Sequence, residues 1–336
     1  MRADVAIAGA SFAGLGLAYH LRDSGLDVLL IDKKDIGEKR TSTCGVPETI
    51  AKEIAPDSIL NTVEYFHVET NRIKRTLEVP RYSVIDYKKF CTALFKKSGA
   101  RFLKAEASPA SEAGIETSAG KIEAKFRVDC TGWRRALSPA RPRKFFTGIE
   151  ITAPIGERFE GSFNFFIDRS LIHGYAWVLP IGGGLGHVGI GGNKTGGDLN
   201  RALMEFLGRV EVPFTRNGLV GGAIPCEGPG KTVENGIFFV GDSARQVLPL
   251  SGEGIKTSHC FSRLCADAIK KNSSVEDALK LYEKTSRKPL SGFYPLALVQ
   301  KGMTTLPQLF FDFCVFTSTS RFLRKKVTDS YFSIGQ

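Results

Sequence analysis

The chain has no CxxC pair and no cluster of cysteine and histidine at ligand spacing, so no structural zinc or other metal site is expected. Its seven cysteines are Cys44, Cys91, Cys130, Cys226, Cys260, Cys265 and Cys314. Their number is odd and their spacing scattered, which argues against a disulfide framework and for a reduced, cytoplasmic setting. No stretch reaches the roughly 18 uninterrupted apolar residues of a membrane span. The apolar run from Val5 to Ala18 is not read as a secretory signal. Asp4 stands where a signal is basic, and Gly9, Gly14 and Gly16 interrupt the run. No G-X-Y period, internal repeat or low-complexity segment is present, which excludes a collagen-like chain.

What is present is an ordinary globular composition, 42% hydrophobic and 24% charged over 336 residues. That length predicts about two domains. Glycine is in excess at 36 residues, which predicts many tight turns or loops that approach a ligand closely. The net charge of +11 implies an anionic partner. Residues 255–336 carry 13 Lys and Arg against six Asp and Glu, so +7 of the charge lies there. Basic residues around the Leu- and Phe-rich stretch Leu306–Phe316 suit a peripheral contact with an anionic membrane surface, or a packing helix with a solvated basic end. No recognition motif accompanies the charge, so nucleic acid is not expected as a partner.

The order of patterns gives the fold class. Ala3–Gly9 reads as a buried strand, Phe12–Ser24 as a helix and Asp27–Asp32 as a second strand, a parallel βαβ unit. Val63–Thr70 and Ile73–Val79 read as strands around a turn at Asn71-Arg72, and Asp86–Ser98 as a helix. From Phe145 to Gly192 four short strands separated by Pro and Gly turns predict an antiparallel sheet. Leu199–Val210 reads as a helix. Gly236–Val240 returns to buried-strand character before a glycine-rich loop and a helix through Lys271. The expected architecture is α/β: a Rossmann-like dinucleotide-binding domain from 1–142 and 217–274, an inserted antiparallel β-sheet domain at 143–216, and a helical segment at 275–336.

Three motifs carry chemistry. The first is Gly9-Ala10-Ser11-Phe12-Ala13-Gly14 with Asp32 and Lys33 at the end of the next strand. A helix N-terminus offers free N–H groups and a positive dipole to a pyrophosphate, and an acid about 20 residues on can accept from ribose hydroxyls. Ser11 replaces the middle glycine of the usual pattern. The second is Gly241-Asp242 followed by Pro249, Gly252, Gly254 and Ile255, the last opening a helix. A carboxylate after a buried strand can hold polyol hydroxyls, and the following helix N-terminus can stabilise anionic charge. The third is Val128-Asp129-Cys130-Thr131-Gly132, a strand ending in a turn that can lie against the same ligand. A nicotinamide dinucleotide alone would not need the second motif.

Together these motifs resemble the FAD-dependent group that includes aromatic hydroxylases, flavin halogenases and geranylgeranyl reductases. The resemblance implies FAD, with the first motif on its ADP half and Gly241, Asp242, Pro249, Gly252 and Gly254 on the ribityl chain and ring. Two features are similar to the geranylgeranyl reductase branch. Cys44-Gly45 lies where those enzymes place a Cys-Gly facing the flavin. Tyr175-Ala176-Trp177-Val178-Leu179-Pro180 resembles their Tyr-x-Trp-x-Phe-Pro signature, with Leu179 in place of Phe. Ile172 and Tyr87 stand where the branch carries Pro and Arg. Alternate aromatics on one strand face suit an apolar tunnel for a prenyl chain, although the same pattern also suits a sandwich core. Cys44 likewise reads either as a flavin-facing group or as a small buried thiol.

The resemblance thus implies a reductase that saturates C=C bonds of a geranylgeranyl or other isoprenoid substrate, phospholipid-linked or free, with Cys44, Tyr175 and Trp177 at the reacting centre. A hydroxylase-type monooxygenase and a quinone or electron-transfer flavoprotein are the alternatives. The stretch Ile181–Gly192 lacks a following strand with a terminal acid, so it reads as a hairpin turn and not as a second nucleotide site. Electrons would then come from a docking donor, NAD(P)H or a ferredoxin-like carrier. His173 and His187 flank the sheet strands and read as proton donors or as structural histidines.

Overall fold

A computed structural model describes residues 1–40, 42–111, 114–142, 144–214, 219–309 and 312. Among the described residues the strands form two sheets of eight. In the first, Arg2–Ala8 lies between Ile122–Asp129 and Val28–Asp32, all parallel, with Arg101–Lys104 beyond Val28–Asp32 and Ile237–Phe239 beyond Ile122–Asp129. Alternation along the first strand fills two cores. Val5 and Ile7 point into one, Ala6 and Ala8 into the other. A parallel sheet covered on both faces needs apolar residues on both, which is why the strand reads as an unbroken apolar run. The helix Phe12–Leu21 is buried on nearly every side for the same reason. It packs between the sheet and Ile255–Lys271, where Ser262 Oγ donates to the Ala13 carbonyl at 2.8 Å.

The second sheet runs in the order Val220–Pro225, Phe145–Pro154, Leu185–Gly192, Gly174–Gly182, Phe163–Ile167, Ile59–Thr70, Lys74–Ile85 and Gly45–Pro47. Its outer face packs on the amphipathic helix Gly196–Val210. Leu199, Leu203 and Phe206 meet Ile151, Val178 and Val188 there. Its inner face turns Trp177, Leu179 and Phe163 toward the first sheet.

This sheet is wider than the expected 143–216 segment. The hairpin Ile59–Thr70/Lys74–Ile85, placed in the first domain from sequence, joins the second sheet through parallel pairing of Phe66 with Phe163. That pairing spans about a hundred residues and leaves no local signal. Val220–Pro225 pairs with Phe145–Glu150 and so also falls outside the expected boundary.

The expected hairpin turn at Ile181–Gly192 is present. Gly182, Gly183 and Gly184 take φ of +88°, +64° and +71° between antiparallel strands. The C-terminal region begins with helices Val275–Ser291 and Phe293–Thr305. Pro289 sits inside the last turn of the first and does not break it. Pro295 falls in the first turn of the second, where a missing N–H is tolerated. Most of Leu306–Phe316 and all of 317–336 lie outside the described residues. Among the described residues no helix is long and apolar enough to cross a membrane.

Candidate active site

A cavity of about 790 Å³ opens between the two sheets, at the carboxyl ends of the parallel strands. At one end lies the loop Gly9–Ala13. Gly9 holds φ +101°, and a Cβ there would stand 2.3 Å from the Cys130 carbonyl oxygen. A Cβ on Gly14 would stand 1.8 Å from the Gly9 oxygen, so Gly14 closes the turn from behind and does not line the cavity. Ser11 stands at the helix start without a side-chain cap bond, which leaves the first-turn N–H groups directed to the cavity. Its hydroxyl lies 3.2 Å from the Tyr87 hydroxyl. Asp32 Oδ2 accepts from Ala10 N at 2.8 Å and Oδ1 from Lys34 N at 3.0 Å, which fixes the carboxylate beside the loop. Lys33 lines the same end and pairs with Glu106 at 2.6 Å. Asp129 is buried and accepts from Thr131 N, Thr131 Oγ1 and Leu137 N. It thereby shapes the turn that presents Gly132 to the cavity.

The second motif meets the first. Gly241, at φ +75°, lies where a Cβ would be 2.8 Å from the Ala13 Cβ, and its N–H donates to Gln246 Oε1. Gln246 is in turn braced by Tyr282 from the helix Val275–Ser291, a contact no local pattern announced. Asp242 lines the cavity and accepts no hydrogen bond from any described residue. Burial alone pushes its carboxyl up to about 6. Gly252 holds φ +68°, with Ile224 2.9 Å from where a Cβ would stand. Gly252, Gly254 and Ile255 line the cavity, and Gly254 precedes the helix Ile255–Lys271 without a side-chain cap. Pro249 is set back from the cavity, its carbonyl accepting from Gln300.

The inner face of the second sheet forms the far wall. Tyr175 and Trp177 line it with ring centroids 5.6 Å apart, and Phe165 packs edge-on to Tyr175 at 6.0 Å. The Tyr175 hydroxyl donates to the Ser251 carbonyl, which ties this wall to the second motif. Burial pushes its phenol up from the ordinary value. The Trp177 indole lies over glycines. A Cβ on Gly189 would stand 2.4 Å from the ring, and Gly148 and Gly191 also leave room for it. These strand glycines are part of the compositional excess and were not legible as a seat for an aromatic.

Cys44 does not occupy the expected place. It holds a left-handed backbone at φ 64°, which turns the side chain into the core, and Sγ donates to the Ser42 carbonyl at 3.2 Å. Gly45 lines the cavity and Cys44 does not. Burial pushes the thiol well above its ordinary pKa, so it is neutral. Of the two readings of Cys44, its burial outside the cavity lining favours the small buried thiol.

A charged cluster that sequence reading missed stands beside Trp177. Trp177 Nε1 donates to Glu150 Oε2 at 3.1 Å, and Arg40 Nη1 lies 2.9 Å from Glu150 Oε1. Burial pushes Glu150 up to about 7, against the opposing pull of Arg40 and the indole bond. Arg40 also contacts His187, 2.6 Å from Nε2. Burial, with the Arg40 charge, holds that imidazole down to about 3 and hence neutral. His187 does not line the cavity, and neither does His173. The signal for Glu150 was present. In Phe145–Pro154 the residues Ile149, Ile151 and Ala153 alternate with Gly148, Glu150 and Thr152, which places a carboxylate on the face opposite the apolar core. Among the described residues no group of His, Cys, Asp and Glu is arranged to hold a metal ion.

No protein-family model matches the chain. Among curated proteins, digeranylgeranylglycerophospholipid reductase 2 of Methanopyrus kandleri is 28% identical over 332 residues, covering 84% of this chain and 82% of the relative. The protein of the same name from Methanothermobacter thermautotrophicus is 26% identical over 332 residues, covering 86% and 84%. Among solved structures, a geranylgeranyl bacteriochlorophyll reductase-like protein from Thermoplasma acidophilum superposes with a TM-score of 0.83 at 20% identity, covering 95% of this chain and 92% of that one. A p-nitrophenol 4-monooxygenase from Pseudomonas putida gives 0.77 at 14% identity, covering 99% and 98%. The α/β fold and the resemblance to geranylgeranyl reductases are borne out by these likenesses.

Proposed function

We propose that this chain is an FAD-dependent reductase that saturates carbon–carbon double bonds of an isoprenoid, specifically a phospholipid-linked geranylgeranyl chain. The observation that carries the reading is one continuous cavity. It joins a phosphate-type loop and a half-buried carboxylate, which has no side-chain partner among the described residues, to an aromatic wall. The curated relatives, named as reductases of such a lipid over most of this chain's length, support the substrate class.

The residues present fit FAD. Gly9 and Gly14 let the loop close tightly on the Cys130 carbonyl and on itself, and the helix from Phe12 offers N–H groups to a pyrophosphate. Asp32 is held at the place where a ribose hydroxyl would be met. Asp242 would accept from the ribityl hydroxyls. Gly254 and Ile255 would set N–H groups and a helix dipole against the polar edge of the flavin ring, while the Gly252 N–H closes the turn on the Leu248 carbonyl. When bound and reduced, the flavin supplies a hydride with its electron pair. The protein's own part is to exclude water and hold the alkene. Tyr175, Trp177 and Phe165 give a prenyl chain apolar contact, and the Trp177–Glu150 bond fixes the indole plane. Electrons would reach the site from NAD(P)H or an acidic, ferredoxin-like carrier drawn by the positive charge. The test is anaerobic: reoxidation of the dithionite-reduced flavoprotein on adding geranylgeranyl phospholipid supports the reading, and a flavin that stays reduced refutes it.

The same reading places the protein at a membrane surface, where its substrate resides. On the helix Phe293–Thr305, Tyr294 and Leu298 share one face and are 63% and 72% exposed. Gln300 of this helix bonds the Pro249 carbonyl, so the apolar face is coupled to the second motif. L298E is expected to weaken binding to anionic phospholipid vesicles about tenfold, from lost apolar burial and added negative charge, with flavin content unchanged. Equal sedimentation of variant and wild type with vesicles would contradict this placement.

A further inference from the structure

We propose that Glu150 is the proton donor of the site, delivering its carboxyl proton to the alkene carbon that does not receive hydride. This rests on the reductase reading above. Each saturation then balances. A hydride with its electron pair, from a reduced flavin, forms one C–H bond, and the Glu150 proton forms the other. The π bond is lost, the flavin is oxidised, and the carboxyl becomes a carboxylate that water reprotonates.

The other acids of the cavity stand away from the aromatic wall: Asp35 pairs with Lys104, Glu106 pairs with Lys33, and Glu38 accepts from the Asp35 N–H. Asp32 accepts two backbone N–H groups at the far end. Glu253 accepts from the Tyr82 hydroxyl and pairs with Lys256. Tyr175 spends its single hydrogen on the Ser251 carbonyl, and Cys44 faces the core. Asp242 stands at the cofactor loop. Among the described acids Glu150 alone stands on the aromatic wall, with its Cβ packed over Gly189 and its carboxyl held by the indole.

Its surroundings suit the role. Burial keeps the carboxyl protonated up to about pH 7. Arg40, 2.9 Å away, stabilises the carboxylate that remains after transfer. The neighbouring strand contributes His187, which is held neutral, and the loop contributes Arg40 and Cys44. The flanking strand Val220–Pro225 carries no titratable group.

The test uses E150Q, which keeps an oxygen acceptor for the indole and removes the acid. In single turnovers of the dithionite-reduced holoprotein, lipid saturation is expected to slow about 100-fold. Lipid binding and flavin content should stay unchanged. The wild-type rate should fall as pH rises through 7, and the E150Q rate should be flat. E150D, which retains the acid one methylene further back, should recover part of the rate and the pH dependence. A readout independent of turnover is carbon NMR of glutamate-labelled, flavin-free protein. One carboxyl should titrate near pH 7 in the wild type and be missing in E150Q. An E150Q rate within about threefold of wild type overturns the role, as does the absence of such a titration. Saturation by the wild type with undiminished E150Q overturns this role alone. A wild type that leaves the lipid unchanged overturns it together with the proposed function.

Discussion

Replacing Gly9 with alanine is expected to give a folded protein that purifies almost free of flavin. The backbone there is at φ +101°, and the new methyl would stand 2.3 Å from the Cys130 carbonyl oxygen. An alanine at positive φ costs on the order of 1–3 kcal/mol, and the clash forces the loop away from the adjoining turn. That displacement moves the first-turn N–H groups by more than a hydrogen bond tolerates. Each 1.4 kcal/mol corresponds to about tenfold in affinity, so a loss of about 100-fold in FAD affinity follows. Flavin absorbance per protein after gel filtration, with a melting curve to verify folding, measures it. Wild-type flavin content in G9A would remove the first motif from the cofactor site.

Asp242→Asn is expected to act in opposite directions on the empty and loaded protein. The Asp242 carboxyl is raised from 3.8 to about 6 because burial disfavours its charge and no described residue compensates. The folded, flavin-free protein therefore carries a penalty that is absent below about pH 4 and complete above about pH 6. Asparagine removes it. At pH 8, flavin-free D242N should be more stable than wild type by on the order of 2 kcal/mol, and at pH 4 the two should agree. With saturating FAD that advantage should be cancelled or reversed. Losing a charge-assisted acceptor for a hydroxyl costs about 1.5–3 kcal/mol, or roughly 10- to 100-fold in affinity. Melting temperatures at both pH values, with and without FAD, settle the sign. D242N that binds FAD as tightly as wild type would contradict the assignment.

The first βαβ unit and both glycine-bearing loops were legible because their signals are local. A buried strand, small residues at fixed offsets and a terminal acid all fall within about 25 residues of one another. What could not be read depends on distant pairing. The hairpin at 59–85 carries ordinary strand patterning, and nothing near it says that Phe66 will align with Phe163. Gly148, Gly189 and Gly191 looked like part of a turn-rich segment, yet they lie in strands and leave space for one indole. Cys44 was placed by its neighbours in sequence. Its positive φ, which sequence does not reveal for a cysteine, reverses the side chain. Glu150 was legible in principle, since a lone carboxylate interrupts an apolar strand, but its partners Arg40 and Trp177 come from two other segments.

If the cavity reduces prenyl double bonds, the mass of the product shows it. Purified holoprotein, reduced anaerobically with dithionite and supplied with a geranylgeranyl phospholipid, should yield lipid heavier by two hydrogens for each double bond saturated. In deuterated water the proton-derived position should carry deuterium. Lipid recovered at its original mass would contradict the account, and so would a product that gains oxygen only when air and NAD(P)H are supplied.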